Sequence, residues 1–325
     1  MSSLLEVRNL VTEFAAKPDR PGLRAVNDVS FSLERGKVLG LVGESGSGKS
    51  VTGFSIMGLV DRPGKVTGGQ ILFDGVDLVG LDPDAMRRLR GRRIAMVFQD
   101  PMMTLNPVLS IRTQMVEAIH AHEDVSERTA HERARDALGQ VGIPSPEERL
   151  ASYPHEFSGG MRQRVAIAIA LLHKPDLIIA DEPTTALDVT IQSQIIAEFQ
   201  TLAEVSNTAV IWITHDLAIV SRLADELAVM YAGRLVETGG VSEVLNTPRH
   251  PYTRGLIASV PSQNRRGERL RQIPGVSPNM ADLPQGCSFR PRCDRALPGC
   301  LSVPPQVPEA GRSYRCINPV MEAQA

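Results

Sequence analysis

None of residues 1–286 is a cysteine, and all four cysteines fall at 287, 293, 300 and 316. Thiol chemistry, if any, is confined to the C-terminal stretch. Long apolar runs are missing too. Val165 to Leu172 is among the longest, far short of the about 20 residues that span a bilayer. Any work at a membrane therefore needs other chains to cross it. The N-terminus, MSSLLEVRNL, lacks a basic region and a cleavage site, so a cytosolic protein is expected. A basic excess is also absent: Lys and Arg number 35, Asp and Glu 37, for a net charge of −2. Nothing global argues for nucleic acid. No internal repeat is visible. What is present is ordinary for a soluble globular chain: 325 residues, 42% hydrophobic and 22% charged, enough for one large domain and a smaller one.

Alternation predicts strands over 4–14 and 24–34, with a loop at 17–22 between them. Further strands are expected at Gly69–Asp74, Ile94–Gln99, Leu177–Ala180 and Ala209–Thr214, and two short ones around Ala232-Gly233. Helical periodicity marks Val51–Leu59, Ile111–His122, Ser126–Val141, Ser158–His173 and Thr190–Val205, with Ser126 as an N-cap. From about 240 the composition shifts to Pro, Arg and Cys. Residues 261–325 show little periodicity and would need a staple to be ordered.

Three motifs carry chemistry. Gly43-Glu44-Ser45-Gly46-Ser47-Gly48-Lys49-Ser50 fits G-x-x-x-x-G-K-[ST], between a strand-like run and a helix. Its glycines let backbone N–H groups face phosphate oxygens, Lys49 adds a positive charge, and Ser50 offers a hydroxyl to Mg²⁺. Leu177-Ile-Ile-Ala-Asp181-Glu182 is an apolar strand ending in two carboxylates. Such a strand delivers its C-terminal end to the ligand crevice of an α/β sheet. Asp181 is then placed for Mg²⁺ and Glu182 to polarise an attacking water; the plainer alternative is an acidic helix cap. Phe157-Ser158-Gly159-Gly160-Met161 opens a helix and forms a second nest of N–H groups.

In this order, the P-loop, Gln99, Ser-Gly-Gly, Asp181-Glu182, Ala186-Leu187-Asp188 and His215 resemble the ATP-binding cassette (ABC) ATPases over roughly residues 4–240. The resemblance implies an α/β P-loop NTPase with an N-terminal antiparallel β-subdomain, a helical subdomain at about 105–175 and a C-terminal Cys-containing extension. It divides the chain into a nucleotide-binding domain (1–240) and the extension (241–325). It implies that Phe14 stacks on adenine, the alternative being an apolar strand end. Residues Gly43 to Val51 would bind ATP. Gln99, Glu182 and His215 would be catalytic. Ser50, Gln99 and Asp181 would hold Mg²⁺, and Asp188 would lie at a dimer interface. Ser158, Gly159, Gly160 and Met161 would cover the nucleotide of a partner cassette. The family signature reads Leu-Ser-Gly-Gly-Gln; Met161 replaces its glutamine and puts the fifth contact in doubt.

Four further runs resemble the di-/oligopeptide (and nickel) importer branch: Val42 to Val51, Phe98-Gln-Asp-Pro-Met102 with Leu105-Asn-Pro107, Phe157 to Arg164, and His250-Pro-Tyr-Thr-Arg254. This resemblance reaches about residue 316. It implies a second, different ATPase subunit, two transmembrane permease subunits and an extracytoplasmic substrate-binding protein, with the chain peripheral on the cytoplasmic face of the inner membrane. The cysteines run C-x5-C-x6-C-x15-C. Disulfides, structural Zn²⁺, an iron–sulfur cluster and free thiols all stay open on spacing; the resemblance favours a [4Fe–4S] cluster on Cys287, Cys293, Cys300 and Cys316. Two competing functions are a cassette working away from membranes, on ribosomes or DNA, and a metal or redox sensor built on the tail.

Overall fold

Apolar runs become strands and amphipathic runs become helices, in an order that alternates through most of the chain. The computed structural model describes residues 3–16, 22–184, 189–260 and 271–321. β1 (Leu5–Phe14), β2 (Leu23–Leu33) and β3 (Val38–Val42) precede α1 (Lys49–Met57). Next come β4 (Gly64–Phe73), β5 (Val76–Asp77), α2 (Pro83–Leu89) and β6 (Ile94–Val97). The helices α3 (Ile111–His120), α4 (Glu127–Gln140), α5 (Pro146–Arg149) and α6 (Gly159–Leu171) follow. Then run β7 (Leu177–Asp181), α7 (Val189–Ser206), β8 (Ala209–Thr214), α8 (Leu217–Leu223), β9 (Glu226–Tyr231) and β10 (Arg234–Gly240). Beyond them lie α9 (Val241–Asn246), α10 (Pro251–Ala258), β11 (Val307–Glu309) and β12 (Arg312–Tyr314).

Two compact units form. The first comprises Met1–Glu34, Val38–Gly80 and Trp212–Ala325. In it β2, β1, β4 and β5 make an antiparallel sheet in that order. β1 buries Leu5, Val7, Leu10 and Thr12. The switch from odd to even positions marks a register shift between Val7 and Leu10. β3 is buried along its whole length, as a strand covered on both faces must be. It runs parallel to β9. Gly40 is required there, because an added Cβ would meet Val220 of α8 at 2.3 Å. β10 pairs antiparallel with β9, and the β11–β12 hairpin adds to β10.

The second unit comprises Arg35–Lys37 and Leu81–Ile211. β6 and β7 pair in parallel from Ile94↔Leu177 to Val97↔Ala180 and are wholly buried. Ser110 and Ser126 cap α3 and α4 by accepting the N–H of Thr113 and Thr129. α4 buries Ala130, Ala134, Ala137 and Leu138, a narrow stripe at helical spacing. Asp176, just before β7, accepts from Arg35 at 2.6 Å and Arg93 at 2.7 Å.

Most expected elements appear, and the differences have local causes. β4 begins at Gly64, earlier than expected, because it continues past Gly69 opposite the β1 irregularity. Gly69 itself has φ 84°, and a Cβ there would lie 2.5 Å from the Arg8 carbonyl oxygen. Helices α2, α8, α9 and α10 arise where periodicity was too short to read; Asp82, Asp216 and His250 cap α2, α8 and α10 with side-chain acceptors. No helix among the described residues is long and apolar enough to cross a membrane.

Candidate nucleotide site

The phosphate loop joins buried β3 to α1 in the first unit. A Cβ on Gly43 would lie 2.2 Å from the Met230 carbonyl oxygen, and one on Gly48 (φ 107°) would lie 2.3 Å from that of Ala25. Only glycine lets the loop pass there. Ser45 and Gly46 are exposed, while Ser47 and Lys49 are buried. Ser50 and Val51, half-buried, open the first turn of α1. The Lys49 ammonium donates to the carbonyls of Gly43 (2.8 Å) and Glu44 (3.0 Å). The buried Ser47 hydroxyl has no hydrogen-bond partner among the described residues. An unsatisfied hydroxyl, a buried ammonium and an exposed glycine turn fit a polyphosphate ligand.

Glu44 is held at both ends by residues beyond position 250. Its N–H donates to the Tyr252 hydroxyl at 2.9 Å. Its carboxylate accepts two parallel bonds from Arg292, at 2.6 and 2.9 Å, and one from Ser277 at 2.6 Å. Burial works against the charge, yet these bonds hold the Glu44 carboxyl below the usual range. Tyr252 is fully buried, which raises its pKa. Its placement follows from the residues before it. His250 caps α10, its Nδ1 accepting the Tyr252 N–H, and Pro251 takes the first helical position. Burial pushes His250 down to about 3, so the ring is neutral and Nδ1 can accept. The buried Glu237 carboxylate accepts the N–H groups of Arg249 and His250.

The other expected residues of this unit are simply placed. Phe14 ends β1, half-buried, its ring edge against Gly64. His215 follows β8 and is exposed; Asp216 beside it caps α8.

In the second unit Asp181 is the last residue of β7 and is 3% exposed. Glu182 follows in a left-handed conformation, φ 45°. A side chain as long as glutamate is uncommon in this geometry, which stores about 1–3 kcal/mol and concentrates at functional sites. Gln99, exposed just past β6, donates from Nε2 to Glu182 Oε2 at 3.4 Å. Ser158 caps α6, its Oγ accepting the Met161 N–H at 3.3 Å. Ser158 and Gly159 are exposed, and space is open where a Gly159 Cβ would stand. Phe157 is buried beneath them, 3% exposed. Met161 is half-buried in the first turn. Asp188 and the neighbouring Ala186 and Leu187 lie outside the described residues.

The cysteines are drawn towards one another but not into a single-ion site. Among the described residues no set of three His, Cys, Asp or Glu side chains is gathered to hold a metal ion. Burial first, and then the other three sulfurs, push the Cys316 thiol up to about 11. Burial also raises Cys287 and Cys293. The sulfurs of Cys300 and Cys316 accept the backbone N–H groups of Leu297 and Asn318, while the Arg290 N–H goes to the Cys287 carbonyl. The tail does not depend on thiols alone for order, as its composition suggests. Arg315 donates to Asp28, Arg249 to Glu309, and Arg312 to Glu309 and to the Thr247 carbonyl.

A glycine cradle with a buried lysine, and a buried strand ending in paired carboxylates, define a P-loop NTPase. The ABC transporter family matches residues 26–185, and the oligopeptide/dipeptide transporter C-terminal region matches residues 236–300. The chain is 46% identical to the oligopeptide transport ATP-binding protein OppD of Escherichia coli, over 98% of this chain and 94% of that protein. It is also 46% identical to the dipeptide transport ATP-binding protein DppD of Escherichia coli, over 99% and 98%. Among solved structures, the dimeric ATP-binding cassette MJ0796 bound to ADP and phosphate shares its fold. The TM-score is 0.66 at 26% identity, covering 73% of this chain and 98% of that one. The chain belongs to the ABC transporter ATPases that carry this oligopeptide/dipeptide C-terminal region.

Proposed function

We propose that this chain is the ATP-hydrolysing subunit of an importer for di- or oligopeptides. The observation that carries the reading is the loop itself, with Lys49 and Ser47 buried in a turn that only glycine permits. The transport role rests on near-full-length similarity to peptide transport ATP-binding proteins.

The backbone N–H groups from Gly43 to Val51 bind the phosphates, with the Lys49 ammonium on the outer ones and Phe14 against the base; the Glu44 side chain, held by Arg292 and Ser277, takes no part. Ser50, Gln99 and Asp181 would hold Mg²⁺, which would supply positive charge to the phosphates. Glu182 orients and deprotonates the attacking water, with Gln99 and His215 beside the reacting phosphate. The Gln99–Glu182 bond supports a shared role for that pair. Ser158 to Met161 present an exposed, capped helix N-terminus suited to the phosphates of a second cassette. The Met161 N–H is taken by the Ser158 cap, so the phosphate contacts there fall to Ser158 and the N–H groups of Gly159 and Gly160. Asp188 would line the same dimer interface. One cassette then supplies half of each site, and a different ATPase subunit supplies the rest.

Two permease subunits and an extracytoplasmic binding protein would complete the machine, placing this chain on the cytoplasmic face of the inner membrane. A groove of about 650 Å³ supports docking of a permease segment. Its lining includes Pro107, Val108, Tyr153 and His155. Val108 is 75% exposed and Tyr153 41%, apolar side chains that such a segment would cover. Domain limits at 1–240 and 241–325, with the helical insertion at about 105–175, fit this division of labour.

Cys287, Cys293, Cys300 and Cys316 would hold a [4Fe–4S] cluster, with structural Zn²⁺ as the alternative. Burial raises the Cys287, Cys293 and Cys316 thiols, and Cys300 and Cys316 accept backbone N–H groups, surroundings that suit a group bound by several sulfurs. Such a group would staple the tail; no redox step follows from it. Protein purified anaerobically should carry iron and colour, and an iron-free, colourless preparation with zinc, or with no metal, would reject the cluster.

The test of the ATPase reading is Glu182→Gln. Turnover should fall about 100- to 1,000-fold with ATP binding retained, and the closed dimer should accumulate. Wild-type turnover would overturn the assignment.

A further inference from the structure

We infer that Arg292 is a positioning residue for the phosphate loop, so that the cysteine-bearing segment governs how well the loop holds a triphosphate. Nothing in the loop motif requires a partner from 248 residues away. Glu44 is nevertheless the loop's second residue, and its side chain projects a carboxylate beside the cradle. Left alone, that carboxylate would repel a polyphosphate and compete for Lys49.

The structure removes both problems with one side chain. Arg292 covers Oε1 and Oε2 together, and Ser277 adds a second bond to Oε2. The carboxylate is thereby turned away from competing for Lys49, whose ammonium rests on the Gly43 and Glu44 carbonyls. Tyr252 fixes the Glu44 N–H at the same time. The loop's second residue is thus fixed at backbone and side chain by the C-terminal extension.

Arg292 is itself preorganised. Its side chain is 6% exposed. Its Nε donates to the Pro274 carbonyl at 2.9 Å, and its guanidinium lies 5.9 Å from the ring centroids of Tyr231 and Phe289. Those two rings pack against each other and against Tyr252. In sequence it stands one residue before Cys293, in the short turn Arg290–Arg292. Disorder in the cysteine segment would therefore release Glu44. Lysine could keep the charge but not the paired, planar bonds.

This inference rests on Gly43–Ser50 being the phosphate cradle. The test measures binding of a fluorescent ATP analogue to the full-length chain, with a melting curve for each variant. Arg292→Gln should weaken binding about 10- to 30-fold, from a bare carboxylate beside the cradle. Arg292→Lys should lose about 3- to 5-fold. Glu44→Gln should lose no more than about 3-fold, and adding Glu44→Gln to Arg292→Gln should restore binding to within about 3-fold of Glu44→Gln alone. A purely structural clamp predicts the opposite, a double variant at least as weak as Arg292→Gln. That result, or Arg292→Gln binding within twofold of wild type, overturns the inference. Lys49→Ala separates the two readings. If it binds normally the cradle assignment fails with the inference; if it loses binding while Arg292→Gln does not, only the inference fails.

Discussion

At Gly48 one added carbon would strike the Ala25 carbonyl oxygen at 2.3 Å. At Arg312, 1% exposed, a guanidinium instead reaches Glu309, Glu243, Glu237 and the Thr247 carbonyl. The phosphate loop and the C-terminal segment share one compact unit but are held by different physics. The loop is fixed by backbone geometry and the absence of side chains. The tail is fixed by long cationic side chains, themselves largely buried, that bond carboxylates and carbonyls. The first kind of order is written in a short motif. The second is written in pairs far apart in sequence, such as Arg315 with Asp28, and no local pattern announces it.

Breaking the loop should have the largest effect. Gly48→Ala forces the backbone from Ala25 and from the φ of 107° that alanine disfavours. ATP affinity should fall at least about 100-fold, with about 1–3 kcal/mol lost in stability. Titration of the analogue and a denaturant curve measure both.

Breaking the tail should cost stability first and binding second. Arg312→Met removes the cation 4.0 Å from Glu237 together with the bonds to Glu309 and the Thr247 carbonyl, and leaves the buried Glu237 carboxyl, whose pKa burial already raises, on the N–H groups of Arg249 and His250. Removing one partner from a buried pair costs up to about 3–5 kcal/mol. Because the Glu237 pKa is raised, its share of stability is present at low pH and is lost as pH rises through its folded value. The variant's deficit should therefore shrink in acid, which urea melts at two pH values would show.

Tyr252→Phe probes the joint between the two regions. It removes the acceptor of the Glu44 N–H while keeping the ring among Tyr231 and Phe289. About 1 kcal/mol of loop order, or 3- to 10-fold in ATP affinity, should be lost.

How much of this was legible beforehand follows the same division. Gly43 to Ser50, Asp181-Glu182 and Ser158-Gly-Gly could be read because phosphate chemistry demands those residue types at fixed spacing. The cap of α4 could be read because Ser126 lies three residues before the N–H of Thr129 that it accepts; Ser110 does the same for α3 and was not read. Tyr252 was visible as part of His250-Pro-Tyr-Thr, but its reach to the loop was not, since 208 positions separate it from Glu44. Arg292 and Ser277 carried no signal at all. The tail looked unstructured because its order comes from β12 joining β10 and from arginine bonds, neither of which leaves a hydrophobic period. The left-handed turn at Glu182 was likewise invisible, since sequence names the residue and not its φ.

The smallest effect sharpens the contrast from the second unit. Arg133 and His173 hold the Glu123 carboxyl down to about 2 from 4.5. A depressed carboxylate stabilises above its unfolded value and loses that share as pH falls from 4.5 towards 2. The Glu123 side chain is 35% exposed, so solvent screens the clamp. Arg133→Gln should lower the melting temperature by only about 1–2 °C at neutral pH and flatten the acid slope. An effect as large as that of Arg312→Met would break the distinction between exposed and buried clamps.

The central claim, a peptide importer's motor, is tested most directly by reconstituting the chain with its permease and binding-protein partners in vesicles. Uptake of a labelled oligopeptide should require ATP on the side bearing this chain and should stop with Lys49→Ala. Uptake that continues with Lys49→Ala, or ATP turnover that never moves a peptide, would contradict the account.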